Sequence, residues 1–535
     1  MNSVIYNPLE EYEKKFKNLH IENTEKYFDS LAKKSNVNID ENRETVNKYN
    51  LYRENLKKLR RKFNLLRVLR VVMIITIILI PLVIFKVTPK IKALRSEIEA
   101  ADRKADELLE LAYSQMQPLN ALFTDRDALN LIEETVPLLS FDECFSVKQE
   151  SDMKINYDFC EQNEDEQSTI DVLAGEFNEN PFLFENKVIH TMGTETYDGY
   201  RTISWTETYR DSDGKLRTRT RTQTLHASVV KPKPYYNTQV VLNYGSQAGS
   251  DLAFSRDASH LERKSEKEIE RYVKRGEKKL KRLTDKAIRE NDDFQSMSNS
   301  DFEVLFDALD RTDEVQYRAL FTPLAQTNMV DLILSKSGYG DDFNFFKNKR
   351  MNKIVSNHSQ GREINLLPEG YKSYAFDIIK ENFVGKNTEF FKAVYFDFAP
   401  LLAIPSYQER PVHSLKPVPD YSQVYSQKEC EALANTIEKE KVVHPDSKTQ
   451  AILKSRFVKS KDNVDETAIT AYSYDVEKRV DIVSVRGGDG YFHNVEVPWD
   501  EYIPLEQENR FFVAEVNLAN ADNIVAKRNG LCIFN

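Results

Sequence analysis

Cysteine is scarce in this chain of 535 residues: Cys144, Cys160, Cys430 and Cys532 lie far apart and form no CxxC pair. That spacing excludes a zinc ribbon and a thioredoxin-type dithiol. Cys144 and Cys160 could form one disulfide in an oxidising compartment, and unpaired, partly buried thiols are an equal expectation. The eight histidines make no HxH or HExxH spacing, and neither a GxSxG elbow nor a GxxxxGK(S/T) loop is present. Nucleophile-elbow and phosphate-loop chemistry are therefore unsupported. No repeat of fixed period occurs, which removes solenoids and propellers. An excess of positive charge is missing too, since 75 Lys and Arg face 85 Asp and Glu for a net charge of -10. That balance argues against wholesale nucleic-acid binding and leaves local basic patches.

Long apolar runs are absent with one exception. Between Arg70 and Lys86 stands VVMIITIILIPLVIF, uncharged throughout. Extended to Leu65 and Val87, with Arg67, Arg70 and Lys86 snorkelling, it is long enough to span a bilayer, because about 20 residues at 1.5 Å each cover the hydrocarbon core. Its distance from Met1 and the lack of a small-residue cleavage site make it an uncleaved anchor. Lys57, Lys58, Arg60, Arg61, Lys62, Arg67 and Arg70 precede it, against Lys86, Lys90, Lys92 and Arg95 after it. That bias predicts a single-pass protein of the cell membrane, with a cytoplasmic N-terminus and an extracellular C-terminal domain. The first seven also form a candidate lipid interface, since basic residues are drawn to anionic headgroups.

Helical periodicity flanks the apolar run. Leu9, Tyr12, Phe16 and Leu19, and then Tyr49, Tyr52, Leu56, Leu59, Phe63 and Leu66, recur at steps of three and four. They predict two helices joined near Ser35–Glu41 as a hairpin or coiled coil over 1–64. After the span over 65–87, Pro89 can open a stalk helix within 88–139. Its Ile91, Leu94, Ile98, Ala101, Ala105, Leu108 and Ala112 keep a heptad seam for self-association or for packing on the same chain.

The remainder reads as α+β with mainly antiparallel sheets. A mixed domain is expected over 140–403, an extended connector over 404–426, and a second α+β region over 427–535, possible to pack on the first. After a short helix from Asp127 to Leu139, Lys148–Ser168 reads as an acidic loop. Strands are predicted near Phe182–His190, Tyr200–Arg210, Lys215–Val230, Tyr236–Tyr244, Thr467–Val476, Arg479–Val485 and Tyr491–Val497. Helices are expected over Ser265–Glu290, Ser300–Asp310, Asp313–Ser335 and Gln427–Glu438. The first of these is rich in Lys and Arg; a solvated face is the commoner meaning, with contact to nucleic acid or anionic lipid as the functional one.

TYRDSDGKLRTRTRTQT, from Thr208 to Thr224, raises three readings. A calcium loop fails because Tyr209 and Thr220 stand where acidic ligands are needed. A hairpin fits, with a type I turn at Asp211–Gly214 and Gly214 left-handed. A three-residue loop would put Arg217, Arg219 and Arg221 on the face of Trp205 and Tyr209, whereas a two- or four-residue loop would put them among the threonines. Tyr339–Asp342 spells YGDD, like the metal-binding turn of RNA-dependent polymerases, but it lacks the flanking apolar strands that such a turn needs. With His358, Asp341 and Asp342 are the candidates for a membrane-tethered, metal-dependent hydrolase. No residue is assigned as catalytic, metal-binding or cofactor-binding, and no cofactor is expected.

The phrases SWTETYRDSDGKLRTRTRTQTLHASVVKPKPYY, YRALFTPLAQTNMVDLI, GYGDDFNFFKNKRMNKIVSNHSQ, YFDFAPLLAIPSYQ and VEVPWDEYIPLE resemble blocks of a family of membrane-anchored proteins of low-GC bacteria, including the wall-less ones. The blocks cover about Tyr200 to Glu506. The resemblance implies a membrane protein and lends no catalytic residue. The resulting expectation is an anchored scaffold or interaction protein, with membrane lipids as partners and self-association through the stalk; nucleic acid is not expected as a general partner.

Overall fold

The computed structural model describes residues 4–75, 81, 83–160, 164–290, 294–411, 415–518, 523–528 and 530–534. The chain is α+β with antiparallel sheets and divides into two units. One is helical (Glu10–Pro137 and Asn365–Tyr395) and the other carries both sheets (Met1–Leu9, Leu138–Ile364 and Phe396–Asn535). The expected domain over 140–403 is thus interrupted, since 365–395 belongs to the helical unit. The region over 427–535 shares a unit with 138–364.

In the helical unit, Lys17–Ser35 ends at a left-handed Asn36, and a new helix runs over Ile39–Ile75. A third covers Thr88–Asn120 after a π-turn at Val83–Val87, with Pro89 in its first turn as predicted. The core gathers Phe28, Leu31, Met116, Leu119, Phe123, Leu131, Ile379 and Phe383. His20 is buried there, with its ring stacked on Phe391 at 4.1 Å, Nδ1 2.9 Å from Thr135 Oγ1 and Nε2 3.2 Å from the Asn387 carbonyl. Burial lowers its pKa to about 4. Between the ordinary value of 6.5 and 4 the unfolded chain binds a proton that the folded one refuses. Stability from this site is therefore complete above pH 6.5 and falls as the pH drops toward 4, by about 3 kcal/mol. The unfolding free energies of wild type and His20→Phe, followed by circular dichroism, should converge by that amount between pH 7 and pH 4.

The other unit holds a seven-stranded sheet in the order β1-β2-β3-β4-β7-β6-β5 and a five-stranded one in the order β11-β12-β10-β9-β8. The first is built from β1 (Leu139–Phe141), β2 (Gln167–Phe177), β3 (Asn180–Arg210), β4 (Leu216–Gly245), β5 (Ala253–Arg256), β6 (Phe343–Asn348) and β7 (Met351–Ser356). The second uses β8 (Ile452–Lys461), β9 (Val464–Arg486), β10 (Phe492–Glu515), β11 (Ile524–Arg528) and β12 (Leu531–Phe534). The predicted strand pairs within 182–210 and 215–244 are each one continuous strand, and β9 fuses two more. β4 runs through Pro232 and Pro234, and β10 through Pro498 and Pro504. Proline survives there because β4 meets β7 only over Leu242–Gly245 and β10 meets β12 only over Phe512–Glu515, so each has a long edge that needs no further N–H donor.

The two long hairpins stack on each other through Ile203, Leu225, Ala227, Val495 and Val497. Gly199 allows the approach, since a Cβ there would lie 2.2 Å from the Glu496 carbonyl oxygen. At the end of the first hairpin, Asp211 N–H donates to the Lys215 carbonyl and Gly214 N–H to the Asp211 carbonyl, with Gly214 at φ 77°. This is the three-residue loop. It pairs Tyr209 with Arg217, Glu207 with Arg219 and Trp205 with Arg221, opposite a ladder that includes Thr206–Thr220 and Thr208–Thr218. Arg219 lies 5.1 Å from the Tyr209 ring centre, and Arg219 and Arg221 share Glu207 at 3.1 and 2.7 Å. The arginine stripe is largely neutralised on its own face.

Three further departures have local causes. The expected acidic loop contains the helix Val147–Tyr157, opened by a reciprocal capping box between Ser146 and Gln149. The helix expected over Asp313–Ser335 is two, Glu314–Leu320 capped by Asp313 and Pro323–Leu334 capped by Thr322, because Pro323 restarts the helix at its first turn. A long helix, Phe376–Leu402, was not expected at all.

Candidate membrane interface

Helices Ile39–Ile75 and Thr88–Asn120 pack antiparallel. Near their base, Gln115 donates to Thr45 Oγ1 at 3.2 Å, and Asn42 donates to Gln115 Oε1 at 3.4 Å. Farther along, Arg60 Nη2 lies 2.8 Å from both carboxylate oxygens of Asp102. Toward the apolar end, Met73 packs with Val83, Val87 and Ile91. As one residue number rises, the other falls. Leu56 and Leu59 are buried on the first helix, and Ala105 and Ala112 on the second. The heptad seam is thus occupied by a helix of the same chain, and the partner of Ile39–Ile75 is the stalk helix and not Lys17–Ser35.

This geometry differs from the expected span over 65–87. Its middle, residues 76–80 and 82, lies outside the described residues. Among the described residues, no helix is long and apolar enough to cross a membrane. Both flanks leave the apolar segment in the same direction, whereas the expectation put them on opposite sides of a bilayer. The seven basic residues before it and the four after it lie on the two antiparallel arms of one hairpin.

The base of the hairpin is fixed by Arg43–Asp377 at 2.7 Å and by Tyr49 and Tyr113 against Tyr374, each at 5.6 Å. From Arg53 to Ile75 the first helix continues for about 33 Å at 1.5 Å per residue. Toward its end Leu65, Val68, Leu69, Val71, Val72 and Ile74 are exposed, as is Phe85 on the return. Leu65 keeps 69% and Phe85 80% of its surface. Lys57, Lys58, Arg60, Arg61, Lys62 and Arg67 are exposed along the first helix and Arg70 is half-buried; Lys86, Lys90 and Lys92 are exposed on the second arm. Clustered apolar exposure with a basic collar is the composition of a membrane-surface element.

Of the polar candidates, Asp342 and His358 come together and Asp341 turns away. Asp341 turns to a buried ion pair with Arg256 and accepts from Ser259 N–H at 2.9 Å. Asp342 turns to His358, accepting from its backbone N–H at 3.1 Å and lying 2.7 Å from Nδ1. His358 Nε2 is 3.4 Å from Asp397, which also accepts from Ser359 and Arg362, and Tyr339 stacks on the imidazole at 3.8 Å. The tandem aspartates diverge, Asp341 toward Arg256 on β5 and Asp342 toward His358, which in turn meets Asp397 of the helix Phe376–Leu402. Among the described residues no group of three or more His, Cys, Asp or Glu could hold a metal ion. Cys144, Cys430 and Cys532 form no disulfide.

Among the cavities of the two-sheet unit, two with charged walls were not legible in the sequence. One, of about 990 Å³, runs beside Glu266–Glu290, but its cations are already matched: Lys286 to Glu290 at 3.7 Å, and Arg311 to Glu303 at 2.5 Å and Glu314 at 2.8 Å. The other, about 20 Å³, has room for roughly one water and is walled by Glu185–Lys428 at 2.9 Å and Glu431–Lys454 at 2.7 Å. Lys347 is also buried, donating to the Ala248 carbonyl at 2.9 Å, and burial lowers its pKa to about 7. None of these groups carries a sequence signature.

No family model matches the chain, and no curated protein or solved structure does. What the fold and the interface define is a class: an α+β chain with a helical hairpin whose end is apolar and collared by basic residues.

Proposed function

We propose that this chain is a membrane-anchored scaffold or interaction protein, held by the hairpin and presenting its two-sheet unit at the membrane surface. The observation that carries this reading is the row of exposed aliphatic residues at the end of two antiparallel helices, directly beyond a collar of Lys and Arg. On the first arm the described apolar stretch from Val71 to Ile75 covers roughly 6 Å of helix, less than one leaflet of a hydrocarbon core about 30 Å thick. Insertion is therefore monotopic, and both ends of the chain stay on one side.

The divergence of Asp341 and Asp342 supports this reading over the hydrolase one, which would need the two carboxylates to face one site. Membrane attachment is tested by flotation of the full chain with phosphatidylcholine vesicles at high salt. Apolar insertion keeps the protein with the vesicles under conditions that screen surface charge. Recovery of the whole protein in the dense fraction would overturn the proposal.

A further inference from the structure

The basic helix Glu266–Glu290 bears a second surface of interest. Its inner face is fixed: Leu280 and Ala287 are buried, and Gly276 lies so close to the helix Ser300–Phe306 that a Cβ would stand 2.3 Å from Val304 Cγ1. With that face set, 100° per residue places Lys267, Arg271, Lys274, Lys278, Arg282 and Arg289 along the opposite side at steps of four, three, four, four and seven. All six are exposed, and among the described residues none forms an ion pair. Asp285 is the one acid in the stripe. Two cations off the stripe are paired, Lys279 with Asp307 at 3.5 Å and Lys286 with Glu290 at 3.7 Å. In a chain of net charge -10, a row of cations along about 33 Å of helix is a local reversal of sign.

We infer that this ridge is a docking surface for anionic lipid headgroups. Charge complementarity selects an anionic partner, and two features select a lipid surface over nucleic acid. The stripe holds no aromatic ring on which a base could stack and no Asn or Gln to read a base edge. Its cations are flanked by the further exposed cations Arg275 and Lys281, giving a broad band suited to a planar array of headgroups. No large apolar side chain lies in the stripe, so contact is electrostatic and superficial, unlike that of the hairpin. The inference does not depend on hairpin insertion.

The test uses the full chain in which Val71, Val72, Ile74 and Phe85 are serine, so that hairpin insertion is weakened. Binding to phosphatidylserine-rich vesicles is compared with and without the triple change Lys274→Glu, Lys278→Glu and Arg282→Glu. The ridge reversal should lower binding at least about tenfold at low salt, since each basic residue near an anionic surface contributes about fivefold. Lys279→Glu, off the stripe and already paired, should change it little. All three reversed positions are exposed and unpaired, so an unchanged circular dichroism spectrum is expected. Equal binding by the ridge variant and its parent would overturn the inference. So would tighter, ridge-dependent binding of a short RNA duplex than of the vesicles at the same salt, which would make the ridge a nucleic-acid surface. Wild-type flotation on phosphatidylcholine reads the hairpin alone, and the two proposals can fail separately.

Discussion

Replacing Val71, Val72, Ile74 and Phe85 with serine should lower partitioning into phosphatidylcholine vesicles about a thousandfold. Each side chain is at least half as exposed as a free one or nearly so, and moving the open part of a Val, Ile or Phe out of water is on the order of 1 kcal/mol. Four together give about 4 kcal/mol, close to three powers of ten. Because none of the four makes the helix–helix seam, the unfolding transition should be unaltered within about 0.5 kcal/mol. Charge reversal at Lys57, Lys58 and Arg61 should behave differently: it removes the preference for anionic lipid, it is sensitive to salt, and it leaves binding to neutral vesicles intact. A four-serine variant that floats like wild type would show that the exposed tip does not enter lipid.

The second large effect lies at Arg528 on β11. Its guanidinium reaches Asp171 on β2 and Glu429 in the helix Gln427–Asn435, and donates to the Val172 carbonyl. Glu429 is fully buried and also accepts from Phe145 N–H at 2.8 Å. Burial pushes its carboxyl pKa up, and Arg528 pulls it back. Arg528→Ala leaves that carboxyl without its cation, at a cost of about 3–5 kcal/mol. Against a typical stability of about 5–15 kcal/mol, this is a severe loss. The double change Arg528→Met with Glu429→Met should recover part of it, because the fully buried carboxyl is then no longer stranded, while Asp171 still loses its cation and Phe145 N–H its acceptor. Both tryptophans, Trp205 and Trp499, lie in the two-sheet unit, so urea unfolding followed by their fluorescence reports this unit. An Arg528→Ala variant within 1 kcal/mol of wild type would contradict a clamping role.

Local rules carried the sequence reading where they sufficed. The turn at Asp211–Gly214 was legible because Gly214 must take the left-handed region, and loop parity alone then set which face the arginines share with Tyr209. The heptad seam from Ile91 to Ala112 was legible as a seam, but small alanines do not name a partner, and the helix that fills it lies on the other side of the apolar run. Phe376–Leu402 escaped because residues 393–402 are buried on nearly every side, so no polar face marks the period. The edge prolines of β4 and β10 suggested strand ends, although an unpaired edge tolerates them. Arg528, Glu429 and Asp171 are hundreds of residues apart in part, and no spacing rule joins them. Of the interface, the basic collar and the apolar run were plain in the sequence, while their folding back onto one side was not.

That reversal is tested most directly by a distance. With the four native cysteines replaced, spin labels at Lys57→Cys and Asp106→Cys are measured by double electron–electron resonance in lipid vesicles. A hairpin brings the two positions side by side, about 20 Å apart including the labels, since packed helix axes lie about 8–10 Å from each other. A straight span through the bilayer would separate them by about 49 residues of helix, roughly 70 Å. A short distance supports the monotopic hairpin, and a distance beyond about 50 Å on the same helical scale would contradict it.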